Sequence, residues 1–154
     1  MRKLSLPILV RFSDILEDRI ERLNSCFAKA ITKYGYDGRY RGVFPVKCNQ
    51  QRHLVEDLVR FGEPYQFGLE AWSKPELMMA LATLKTPGAL LRCNGYKDRA
   101  YLETAMLGQK LGQQPMIVLE QLDELPLVIE IIQRLHIRPP LGVRAELSTK
   151  GVGR

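Results

Sequence analysis

Apolar and polar positions along this chain come in repeating blocks. From Gly42 onward a short apolar run closes on one polar residue, and a stretch with apolar residues at helical spacing follows. "VFPVK" ends at Lys47 and leads into "HLVEDLVRF", which stops at Gly62. "YQFGLE" ends at Glu70; Ser73 and Glu76 then have the spacing of a capping box ahead of "PELMMALATL". "ALLRCN" ends at Asn94, before a helix predicted from about Asp98 to Leu111. "PMIVLE" ends at Glu120, and "DELPLVIEIIQRL" has a helical pattern that Pro126 should delay or kink. "PLGVR" ends at Arg144. Ahead of this series, "LPILVRF" (Leu6 to Phe12) reads as a short buried strand. Asp14 and Glu17 give a D-x-x-E start signal. Ile15, Ile20, Leu23, Phe27 and Ile31 mark a helix that Gly35 should stop.

The five strand-end residues, Lys47, Glu70, Asn94, Glu120 and Arg144, are spaced by 23, 24, 26 and 24 residues. Strands alternating with helices at this pitch predict parallel strands joined by crossover helices, an α/β fold of about six strands. A (β/α)8 barrel, present in part, is the first expectation and an open doubly wound sheet the second. In both, ligands bind at the C-terminal edge of the sheet. Strands can also turn polar simply because they leave the core. Two cations, two carboxylates and an amide, however, form the mixture that a zwitterionic or phosphorylated ligand would use.

Composition narrows the class. A chain of 154 residues fits one domain, 1–154, and its 45% hydrophobic and 26% charged residues are those of a globular protein. The net charge of +6 comes without like-charge blocks or interleaved aromatics, which disfavours a nucleic-acid surface. Three cysteines without a C-x-x-C argue for a reducing, cytoplasmic setting. The basic start imitates a signal peptide, but its apolar run is too short for one, and no stretch has the length of a membrane span. His53 and His136 lack metal-ligand spacing, and no nucleophile elbow, phosphate loop or dinucleotide fingerprint occurs. Cys48, Cys93, Met78 and Met79 read as packing residues, and Tyr96 and Lys97 as a solvated turn.

Lys47 is the candidate for chemistry. An apolar surround favours a neutral amine, which attacks carbonyls; a nearby Glu70 or Glu120 would keep it charged. The residues alone leave that balance open.

"FPVKCN" followed by "HLVEDLVRFG" resembles the pyridoxal-phosphate attachment segment of decarboxylases with an alanine-racemase-like barrel. "LPILVRFSDILEDRIERLNSCFAKAI", "GLEAWSKPEL", "CNGYKDRAYL" and "LGVRAEL" are similar, in order, to the biosynthetic arginine decarboxylases. The resemblance implies that Lys47 holds pyridoxal 5'-phosphate as a Schiff base, with Mg2+ as a further cofactor of the family. It implies decarboxylation of L-arginine to agmatine in polyamine biosynthesis, by a homo-oligomer. Arg144 matches an arginine beside the cofactor ring, while Glu70 and Asn49 match positions in or around the cofactor's contacts. Trp72 stands where the family usually has a small residue. The family's chain is longer, so the resemblance also implies an internal piece without the phosphate loop or the β-rich second domain, and one inactive on its own. Two alternatives stay open: an ornithine, lysine or diaminopimelate decarboxylase of the same fold, and a non-catalytic α/β module binding a phosphorylated ligand or a partner.

Overall fold

The structure, a computed structural model, describes residues 7–145. Helix α1 (Ser13–Tyr34) precedes four strand–helix units and a fifth strand: β1 (Val43–Pro45), α2 (Arg52–Gly62), β2 (Gly68–Ala71), α3 (Lys74–Thr83), β3 (Leu90–Cys93), α4 (Arg99–Leu107), β4 (Gln114–Leu119), α5 (Glu124–Leu135) and β5 (Leu141–Val143). All neighbouring strands are parallel, in the order β1-β2-β3-β4-β5. A doubly wound sheet would reverse its order at a switch point, and this one does not. The order is that of part of a (β/α)8 barrel, the first expectation.

Alternation along the strands separates two faces. Leu69, Ala71, Leu91, Cys93, Ile117 and Leu119 point one way and are buried. They pack against Leu77, Ala80, Leu102, Met106, Val128 and Ile131 of the helices in one core. Each fully buried aliphatic side chain stabilises by about 1.5–3 kcal/mol. Glu70 and Arg92 pair across β2 and β3 on the opposite face, Nε to Oε2 at 3.7 Å. Helices α2 to α5 all pack on the first face.

Several expectations need correction. "LPILVRF" forms no strand over its described residues: Ile8, Leu9, Val10 and Phe12 are exposed, and β1 pairs only with β2. An apolar run becomes a strand only when a neighbour takes up its backbone groups. Helix α1 starts one residue before Asp14, and the Ser13 hydroxyl donates to Asp57 of α2 at 2.9 Å rather than capping. Ile20 of α1 packs with Leu58 and Phe67 in a second small cluster. Gly35 stops the helix as expected, with φ +59°. Pro126 neither delays nor kinks α5, because it lies in the first turn, where no intrahelical N–H bond is lost. Met78 and Cys48 are exposed, so neither is a core residue. The C-terminal "KGVGR", whose lone G-x-G is too little for a dinucleotide fingerprint, lies outside the described residues.

Candidate site at the strand C-terminal edge

The five strand-end residues occupy one rim, at the C-terminal ends of parallel strands in adjacent register. At the first, β1 ends at Pro45 and the chain makes a single 3-10 turn over Val46–Cys48. Val46 plugs into the core with no exposure, and the Asn49 N–H donates to its carbonyl at 3.1 Å. Lys47 is thereby turned outward. It is exposed. Its Nζ lies 3.6 Å from the centre of the Trp72 ring, within cation–π distance. Among the described residues no carboxylate reaches it at ion-pair distance. The Asn49 side-chain oxygen accepts from the Gln51 N–H at 3.0 Å, a local turn that leads into α2.

Trp72 follows β2 and is braced from several sides. Its backbone N–H donates to Glu76 Oε2 at 2.8 Å, and its indole N–H to Glu70 Oε1 at 2.5 Å. Ser73 Oγ accepts from the Glu76 N–H at 3.5 Å, so the capping box forms with its return bond shifted one residue back, to Trp72. The Tyr101 hydroxyl donates to the Ala71 carbonyl at 2.9 Å. Gly95, at φ +74°, passes the Trp72 carbonyl so closely that a Cβ would come within 2.6 Å of it. Only glycine tolerates both conditions. Glu70, 8% exposed, thus orients the indole and pairs with Arg92.

The far side of the rim is a carboxylate relay. Glu120 Oε1 accepts from the Gly95 N–H at 2.9 Å, and Oε2 pairs with the Arg144 guanidinium at 3.0 Å. Burial pushes the Glu120 carboxyl up, but the Gly95 N–H, Arg144 and Lys97 outweigh it and hold the group below its ordinary range. Behind it, Glu124 Oε1 accepts from the Lys97 N–H at 3.1 Å; Oε2 accepts from the Glu120 N–H at 2.9 Å and meets Lys97 Nζ at 3.2 Å. The Lys97 amine also donates to the Gly95 carbonyl. Arg144, the last rim residue, has its guanidinium carbon 5.6 Å from the Trp72 ring centre.

The structure therefore brings Lys47, Glu70 and Arg144 together around Trp72, while Asn49 serves the turn behind Lys47. Sequence reasoning missed Lys97, read as a solvated turn: its side chain has no exposure and pairs with Glu124. Its one sequence signal was a carboxylate at the start of α5, too remote in sequence to single out. Asn94, already a strand-end residue in the sequence, has its side-chain oxygen buried at the rim without a hydrogen-bond partner. Beside the rim lies a cavity of about 490 Å³, lined by Trp72, Tyr96, Lys97, Tyr101, Gln121 and Glu124. Among the described residues no cluster of three His, Cys, Asp or Glu side chains is placed to hold a metal ion. No helix there is long and apolar enough to cross a membrane.

Comparison with known proteins places this geometry. The family model "Pyridoxal-dependent decarboxylase, pyridoxal binding domain" matches residues 17–152, and the chain belongs to that family. It is 74% identical to a biosynthetic arginine decarboxylase of Nostoc sp. over 99% of this chain and 22% of the relative. It is 68% identical to the one of Thermosynechococcus vestitus, over 99% of this chain and 24% of the relative. The crystal structure of the biosynthetic arginine decarboxylase of Campylobacter jejuni superposes with a TM-score of 0.82 at 34% identity, covering 90% of this chain and 24% of that one. The chain thus spans about a quarter of the length of these relatives.

Proposed function

We propose that this member of the pyridoxal-dependent decarboxylases holds pyridoxal 5'-phosphate on the rim of its sheet, anchored at Lys47, and serves decarboxylation of L-arginine to agmatine and carbon dioxide. The single observation that carries the reading is the setting of Lys47. It is an exposed amine at the C-terminal edge of a parallel strand, free of any carboxylate among the described residues, on the same indole as Arg144. The substrate follows from the relatives' shared activity in their names.

The residues present fit the group. An aldehyde needs an amine not locked in an ion pair, and its ring oxygens need fixed donors. Lys47 meets the first need, Arg144 the second. The buried, unpartnered oxygen of Asn94 offers an acceptor at the same edge. When bound, pyridoxal phosphate supplies an electron sink for the pair released as carbon dioxide leaves. The chain's own contribution is position and charge. Lys47 Nζ must give up a proton before it can attack a carbonyl carbon. Glu120 holds the Arg144 guanidinium in place beforehand, so a negative oxygen beside it is stabilised without reorganisation. Glu70 acts through Trp72, fixing the indole against which Lys47 rests. Asn49 acts through the turn that presents Lys47.

The test is to add pyridoxal 5'-phosphate to the protein and to its Lys47→Arg variant. Absorbance of amine-bound pyridoxal near the visible edge is expected in the first and not in the second. An equal band in both sinks the assignment of Lys47. Release of labelled carbon dioxide from arginine, against ornithine, lysine and diaminopimelate, tests the substrate.

A further inference from the structure

We propose that Lys97 is a positioning residue for Arg144: its buried amine closes a circuit of hydrogen bonds through Gly95, Glu120 and Glu124 that aims the Glu120 carboxylate at the guanidinium. The inference rests on the reading of Arg144 as the donor beside a cofactor held at Lys47, and it adds a residue that touches neither.

The circuit can be followed bond by bond. The Lys97 amine donates to the Gly95 carbonyl and lies 3.2 Å from Glu124 Oε2. The Gly95 N–H donates to Glu120 Oε1 at 2.9 Å. The Glu120 N–H donates at 2.9 Å to Glu124 Oε2, the oxygen that meets Lys97. Glu120 is thus held by its backbone and by one carboxylate oxygen. Its other oxygen, Oε2, accepts from Arg144 at 3.0 Å. Among the described residues this is the only side-chain hydrogen bond of Arg144, and that side chain is 55% exposed. Where the guanidinium stands therefore follows from where Glu120 points.

Closing the turn before α5 does not account for Lys97. The two oxygens of Glu124 already take the N–H groups of Glu120 and Lys97, which needs no ammonium. A buried charge is costly even when it is paired. What the amine adds is its bond to Gly95, the residue whose N–H fixes Glu120. Gly95 has no slack toward β2, since at φ +74° it already passes close to the Trp72 carbonyl. Nor is Lys97 a second covalent anchor: its side chain has no exposure, and its amine is held in an ion pair.

The experiment follows the absorbance of pyridoxal 5'-phosphate bound at Lys47 as a function of pH. A guanidinium beside a ring oxygen favours its negative form, so the midpoint is lowest in the unaltered protein. Arg144→Met should raise it by about 1 pH unit, the low end of what an adjacent opposite charge does. The double variant Lys97→Met, Glu124→Gln removes one charge of each sign and strands neither. It should raise the midpoint in the same direction, roughly half as far, because the guanidinium is present but no longer aimed. In an Arg144→Met background the same double substitution should add nothing, since it acts through Arg144. A shift that persists undiminished in that background overturns the proposal.

Lys97→Met alone is the second variant. It leaves Glu124 on its two backbone donors and should move the midpoint in the same direction, so a folding defect in the double variant does not decide the matter. Far-UV circular dichroism checks the fold of each. If the absorbance survives Lys47→Arg, the anchor reading fails and this inference with it. If Arg144→Met leaves the midpoint in place, the reading of Arg144 fails, and again this inference with it. A midpoint that Arg144→Met moves and neither Lys97 variant moves removes this inference alone.

Discussion

Replacing Glu124 with alanine removes one carboxylate on which three donors depend: the Lys97 amine and the backbone N–H groups of Lys97 and Glu120. The Lys97 side chain has no exposure and that of Glu124 only 8%, so solvent screens this pair very little. Removing one partner of a buried pair costs about 3–5 kcal/mol, because the other charge stays buried without compensation. That is a large part of the roughly 5–15 kcal/mol by which domains are stable. Lys97→Met should cost less than half as much, since Glu124 would keep its two backbone donors. The double variant Lys97→Met, Glu124→Gln should lie close to Lys97→Met, as no ammonium is left stranded. Urea unfolding at neutral pH, followed by far-UV circular dichroism, measures all three. A cost of about 1 kcal/mol or less for Glu124→Ala, the range of exposed ion pairs, would refute the claim that this pair ties the β3–α4 and β4–α5 loops together.

Three further predictions follow the same geometry. Burial pushes the Cys93 thiol up to about 12, against smaller opposing effects of Tyr101 and Lys97, whereas Cys26 and Cys48 are exposed. An aromatic disulfide reagent near pH 8 should therefore titrate two thiols in the native protein and a third only on unfolding; three native thiols would contradict the core. Gly95→Ala should destabilise by about 1–3 kcal/mol, because the new Cβ meets the Trp72 carbonyl at a positive φ; an unchanged urea midpoint would contradict the close approach. Glu120 is held below its ordinary value of 4.5, so the stability it adds is present above that value and lost as pH falls through the lower folded one. The stability gap between the protein and Glu120→Gln should stay level from neutral pH down to that value and close below it; a gap that widens in acid would reverse the sign.

The strand–helix rhythm was legible because each strand must fill a two-sided slot while each helix buries one face, and these needs leave different periods in the sequence. The rim was legible for the same reason: Lys47, Glu70, Asn94, Glu120 and Arg144 mark where strands leave the core. The false strand at "LPILVRF" shows the limit. Ile8 to Val10 are apolar enough for a strand, but pairing depends on a neighbouring edge that local sequence does not encode. Lys97 failed in the opposite direction. Its burial depends on Glu124, 27 residues away, and on a loop that Gly95 folds back over Trp72. Trp72 was visible only as an odd side chain beside Glu70. Its contact with Lys47 arises because β1 and β2 are adjacent, which is a property of the sheet and not of either segment.

The central claim is that Lys47 is where the cofactor attaches. Its most direct test is to incubate the protein with pyridoxal 5'-phosphate, reduce with borohydride, digest, and locate the pyridoxyl group by mass spectrometry. The account predicts one dominant modified residue, Lys47, within "GVFPVKCNQQR". Label concentrated on another lysine, or spread evenly over the chain's lysines, would contradict it.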